Sequence, residues 1–247
     1  MYLWRHRAVV FQLISVRNPR FSFFLFLFVL VFFVLPPVVF QFIFPSDDEI
    51  MASYPVQVFL NGGFSALLYF FSLRGNVFAE PVFSVRQPFF VYSSNALVCF
   101  GILCLSSVVL ETAAYFFKIS GGIQNIVFPK SIFGGINFVF GVLCAAFFEE
   151  IVYRFYLPQA MKDIFVKGKY DTSRKSFWLS ILCETAALVL FSLGHIYLGL
   201  FGFLNALVCG AALRVCMLRT KSVWVSFVVH SAYNFLSFSI IWGLSYS

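Results

Sequence analysis

With 247 residues, of which 61% are hydrophobic, 21% aromatic and only 11% charged, the chain is too apolar for a water-soluble domain. Its net charge of +7 is scattered over short connections with no aromatic-basic reader motif, which excludes nucleic acid as a partner and points to membrane lipids instead. The composition predicts one all-α domain, a polytopic transmembrane helical bundle of about seven spans.

Arg5, Arg7, Arg17 and Arg20 precede an apolar run from Phe21 to Phe44, which is too long for a signal peptide and lacks a small-residue cleavage pattern. At about 1.5 Å per residue this run crosses the roughly 30 Å hydrocarbon layer, with Pro36-Pro37 as a kink point. An acidic turn, Pro45 to Glu49, leads to a weaker second run from about Val56 to Leu73, interrupted by Gly62-Gly63. The connection from Arg74 to Ser93, with Pro81 and Pro88, leads to a third helix at about Ser94 to Phe117 that carries Glu111.

Lys118 to Phe133 reads as a loop containing Gly121-Gly122, and a fourth helix runs from about Ile136 to Leu157. The most polar segment follows, Pro158 to Ser176, with Lys162, Lys167, Lys169, Arg174 and Lys175. Helices five, six and seven are expected at about Phe177 to Leu198, Leu200 to Leu218 and Val223 to Leu244. With the N-terminus cytoplasmic and the C-terminus opposite, all of the 17 basic residues except Lys118, Lys130 and Arg154 fall on the inner side. The six cysteines lie in apolar runs without CxxC spacing and read as small core residues.

Inside the spans, polar residues are few and costly, so each calls for a partner or a use. Helix four carries Glu149, Glu150 and Arg154; helix five carries Phe191 and His195; helix seven carries His230 and Asn234. The members of Glu150/Arg154, Phe191/His195 and His230/Asn234 are each four apart and predict one shared helix face per pair. A structural reading makes them three interhelical contacts. A chemical one lets a carboxylate and an imidazole activate a water while a second imidazole and an amide stabilise an oxyanion. Alternatively, Glu149, His195 and His230 ligate a divalent metal such as zinc that acidifies the water, although no HExxH helix is present. Glu184 and Arg214 read as an ion pair between neighbouring helices.

Glu149-Glu150-Ile-Val-Tyr-Arg154, Phe191-Ser-Leu-Gly-His195 and His230-Ser-Ala-Tyr-Asn234 match the patterns EExxxR, FxxxH and HxxxN in order. They resemble the CPBP intramembrane proteases, a family that includes type II CAAX prenyl endopeptidases and bacteriocin-processing or self-immunity proteins. Gly210 and the Thr220-Lys-Ser-Val-Trp224 turn also resemble that family, with Lys221 in place of its usual glycine. The resemblance covers about Gly134 to Leu244. It divides the chain into N-terminal membrane helices, 1–133, and a catalytic core, 134–247, within one integrated domain.

Carried over residue by residue, the resemblance implies that Glu149 and His195 activate water and that His230 and Asn234 stabilise the oxyanion. Glu150, Arg154 and Phe191 would be supporting. The implied activity is an intramembrane endopeptidase acting on a membrane-associated or lipidated peptide, with either glutamate-dependent or metal-dependent chemistry. The competing readings are a catalytically silent immunity or scaffold protein and a proton-coupled transporter. One feature resists the straight-helix assignment, because His195 falls roughly 15 Å deeper than Glu149 at 1.5 Å per residue. The offset closes if helix four continues past Pro158 and helix five begins later.

Overall fold

In lipid an apolar run must satisfy its own backbone hydrogen bonds, and helices do so. The computed structural model describes residues 19–43, 50–51, 56–74, 87–118, 126–166 and 174–244, and helices dominate them. The basic tail through Arg17, the Pro45 to Glu49 turn, Pro81, Arg86, Gly121-Gly122, Lys167 and Lys169 lie outside the described residues.

Helix α1, Pro19–Val29, passes through a π-helical segment, Leu30–Val34, into α2, Leu35–Ile43. Pro36 and Pro37 have no N–H to give the carbonyls one turn earlier, and the chain widens there. Helices α3, Val56–Arg74, and α4, Phe89–Phe116, follow. Helix α5, Ile132–Glu149, begins where the Ser131 side chain accepts from the Gly134 N–H at 3.0 Å. It continues through a second π-helical segment, Glu150–Tyr156, into α6, Leu157–Phe165. Helix α7 is Arg174–Leu193, a 3-10 turn spans Ile196–Leu198, and α8, Gly199–Thr220, and α9, Val223–Leu244, complete the bundle. Two-residue strands, β1 at Ile50–Met51 and β2 at Ile126–Val127, pair in parallel and tie together two connections expected to be plain loops.

Six of the described helices are long and apolar enough to cross a membrane, and α3 contributes a shorter apolar stretch, Val58–Ser72. Contact registers give their directions. Gly62 lies against Cys144 and Tyr69 against Phe155, so α3 runs parallel to α5. Phe138 meets Phe238 and Phe147 meets Phe227, so α9 runs antiparallel to α5. Phe24, Phe32, Leu97, Leu105 and Val228 are more than half exposed, an apolar exterior suited to lipid. The chain is an integral, multi-pass membrane protein.

Two clusters form the interior. The larger gathers Ile151, Phe155, Tyr156 and Leu157 with Val29, Val34 and Leu68, so the π-helical segment after α5 is the centre of the core. The smaller joins Cys99 and Leu103 to Cys209, Leu213, Cys216 and Val229, which confirms three of the six cysteines as small packing residues.

Several boundaries differ from expectation: the third helix begins at Phe89 rather than about Ser94, and the fourth at Ile132 rather than about Ile136. The fourth helix does not stop at Leu157 but runs through Pro158 to Phe165. The fifth begins at Arg174, earlier than expected, and ends at Leu193, before His195. The sixth is preceded by the 3-10 turn and starts at Gly199. Proline at the second residue of α6 is tolerated because the preceding π turn has already shifted the hydrogen-bond register.

At the α8–α9 turn Lys221 adopts φ 54° and ψ 33°, the left-handed region that favours glycine. Replacing Lys221 with glycine should therefore raise stability by about 1 kcal/mol. An unchanged thermal unfolding midpoint in detergent micelles would contradict that strain.

Candidate active site

Glu149 and Glu150 are sequence neighbours with different surroundings. Glu150 is fully buried, whereas the Glu149 side chain is 20% exposed. A carboxylate taken wholly out of water needs partners, and Glu150 has two. Its Oε1 stands 2.8 Å from His230 Nδ1 and 3.5 Å from Arg154 Nη1. The same Arg154 nitrogen lies 3.8 Å from Glu149 Oε2.

This double reach follows from the local backbone. Glu150 and Arg154 are four apart, as expected, but they sit in a π-helical turn rather than on an ordinary α-helical face. Its wider repeat of five residues sets Arg154 beneath Glu149 as well as beneath Glu150. The guanidinium carbon also rests 3.6 Å from the centre of the Phe191 ring, a cation–π contact from α7. Phe191 is held in turn by close approach of α8. A Cβ at Gly210 would come within 2.8 Å of Leu188 and 3.1 Å of Phe191.

His195 is not on the helical face it was expected to share with Phe191. It lies in the turn after α7, where its Nδ1 is 3.1 Å from the Phe191 carbonyl. A carbonyl only accepts, so Nδ1 carries the proton and Nε2 presents a lone pair. That Nε2 is 4.0 Å from Glu149 Oε1. From α9, His230 Nε2 is 3.6 Å from Glu149 Oε2. The two imidazoles thus flank one carboxylate, and the apparent depth offset disappears because His195 leaves the helix and the helical run begun by α5 continues through α6 beyond Pro158; α7 begins earlier, not later, than expected.

A cavity of about 320 Å³ adjoins this cluster. His195, His230, Asn234 and Arg154 line it, and so does Glu111 from α4. Glu149 touches both imidazoles but is not one of the lining residues. All seven residues singled out by the motifs therefore fall in or beside one site, with Asn234 contributing through the cavity wall.

Sequence reasoning missed another part of the cavity wall. Asn205 Oδ1 accepts from Ser106 and Ser107 at 3.3 and 3.2 Å, and Asn205 Nδ2 donates to Tyr233 Oη at 3.1 Å. Ser107, Asn205 and Tyr233 also line the cavity. They come from α4, α8 and α9, and nothing in their spacing along the chain links them. Lys162 was also missed as a partner of Glu184, to which its Nζ donates at 2.6 Å. The expected Glu184–Arg214 pair is present and bidentate, at 2.8 and 2.6 Å.

Glu149, His195 and His230 have the donor chemistry of a metal site. Their placement differs from one, since among the described residues no three His, Cys, Asp or Glu side chains are grouped so as to hold an ion.

Residues 132–236 match the family model of the Rce1-like type II CAAX prenyl endopeptidases. The match supports membership of this segment in the CPBP family of membrane proteases. It runs from the start of α5 into α9 and contains every motif residue, while α1 to α4 lie outside it. Neither the comparison with curated proteins nor that with solved structures returned a match.

Within this CPBP segment, Glu150 and Glu149 should separate cleanly in stability. Replacing Glu150 with alanine leaves Arg154 and His230 without their buried counter-charge and should cost about 3–5 kcal/mol. Glu149→Gln, at a partly exposed position, should leave the thermal unfolding midpoint near that of the wild type.

Proposed function

We propose that the chain is an intramembrane endopeptidase that hydrolyses a peptide bond of a membrane-associated or lipidated peptide, using water activated by Glu149 and His195. The observation that carries this reading is the convergence of two imidazole Nε2 atoms on Glu149, at 4.0 and 3.6 Å, from two other helices. Membership of a protease family supports it.

A water between Glu149 and His195 would donate to both, because the carboxylate accepts and the Phe191 carbonyl fixes the His195 lone pair at Nε2. As the water oxygen bonds to the substrate carbonyl carbon, its proton passes to Glu149 or His195. The carbonyl oxygen then bears negative charge, to which His230 and the Asn234 amide, both on the cavity wall, would donate. His230 keeps Nδ1 on Glu150, so it donates from Nε2 when both nitrogens are protonated. Collapse breaks the C–N bond, and the stored proton goes to the leaving amine. Arg154 and Glu150 bind no substrate in this scheme; they hold Glu149 and His230 in register.

In this reading residues 134–247 form the catalytic core, and the helices of 1–133 complete its walls, with Ser107 and Glu111 of α4 on the cavity. The N-terminus is assigned to the cytoplasmic side and the C-terminus to the opposite side by the distribution of basic residues.

Comparison of peptide termini in membranes from cells with the wild type and with Glu149→Gln tests the activity. Cleavage at the substrate should fall by about 10²–10⁴-fold in Glu149→Gln and in His195→Ala. An unchanged set of termini in both would favour the silent scaffold. The glutamate mechanism further predicts that prolonged dialysis against a chelator leaves cleavage intact, and loss of activity restored by zinc would replace it with the metal mechanism.

A further inference from the structure

The backbone that carries Glu149 has a defect that another helix repairs. Pro158 has no N–H, so it can close neither the α-type bond to the Arg154 carbonyl nor the π-type bond to the Tyr153 carbonyl, just where the Leu157 N–H still reaches five residues back to Val152. Arg154 is also the residue whose guanidinium reaches both glutamates. From α8, Arg214 Nη1 donates to that carbonyl at 2.6 Å. The rest of the same guanidinium is held rigidly, with Nε and Nη2 on the two oxygens of Glu184 from α7. Lys162 on α6 donates to Glu184 Oε1 as well.

We propose that Arg214, oriented by Glu184 and Lys162, is a positioning residue of the peptidase site. It replaces the donor that Pro158 lacks and so fixes the π turn that sets Glu149, Glu150 and Arg154. The inference rests on the peptidase reading above. A simple interhelical ion pair accounts for Glu184 and Arg214 but not for the third bond, to a carbonyl in the turn that Pro158 leaves one donor short. The planar fork of arginine matters here, because a lysine ammonium is too compact to span a carboxylate and a backbone carbonyl in this geometry. None of Lys162, Glu184 and Arg214 lines the cavity, so any effect they have on cleavage is transmitted through the backbone.

Three substitutions in the full chain, purified in detergent micelles, test this. Arg214→Gln removes the charged fork while Glu184 keeps Lys162; Arg214→Lys keeps the charge without the fork; Pro158→Ala returns a backbone N–H to the turn that Arg214 braces. Hydrogen–deuterium exchange over residues 150–157 is read for each, together with cleavage of a farnesylated CAAX peptide, with Glu149→Gln as the inactive control.

Arg214→Gln should exchange faster in that segment and lose on the order of 10- to 100-fold in kcat with KM unchanged. Arg214→Lys should behave similarly and serves in its place if Arg214→Gln does not fold. Combining Pro158→Ala with either should recover most of both signals, a rescue that a generic loss of packing would not show. Unaltered exchange in the Arg214 variants, a normal kcat despite faster exchange, or a double variant no better than the single overturns the inference. A wild-type protein that leaves the peptide uncut overturns the peptidase reading for this substrate, and the exchange data then decide the brace alone.

Discussion

The structure depends on one buried carboxylate. Glu150 has no exposed surface, and a bare charge in that position would cost several kcal/mol. It is tolerable because Arg154 approaches from one turn later on the same chain segment and His230 from α9. Satisfying Glu150 therefore fixes the distance between α5 and α9. The same Arg154 lies over Phe191, which brings α7 into the arrangement. Three helices are thus set by one charge, and Glu149, the neighbour of that charge, is placed among two imidazoles as a result.

Backbone geometry makes the arrangement reachable. Both π-helical segments are followed closely by proline, Leu30–Val34 by Pro36 and Glu150–Tyr156 by Pro158. The missing N–H at each proline leaves the preceding turn free to widen. In the first case the consequence is packing, with Val34 in the core beside the second segment. In the second it is chemical, because a tighter α-helical turn would not set one guanidinium against two adjacent glutamates.

Much of this was legible in the residues. Three polar motifs on apolar helices marked the candidate site, the apolar runs set out the spans, and helix α9 was placed at its observed limits. What sequence could not show follows from the same physics. Pro158 looked like a helix end, since a proline usually is one, but the π turn before it and the Arg214 bond to the Arg154 carbonyl accommodate the missing N–H and the helix goes on. His195 was read as a helical residue because it stands four from Phe191. The same four-residue spacing is satisfied instead by a ring nitrogen folding back onto the Phe191 carbonyl. The Ser107–Asn205–Tyr233 wall was invisible because its members are distant in sequence and individually ordinary.

That wall has a consequence for how such a protein diversifies. The reacting groups come from α5, the turn after α7 and α9, all within the segment shared with the family, while Ser107 and Glu111 come from α4, outside it. The cavity is thus lined both by the segment that matches the family model and by a helix that the match does not reach. Substitutions along α4 can reshape what the cavity admits without disturbing the charges that Glu150 holds in balance, so selectivity and chemistry are free to drift at different rates.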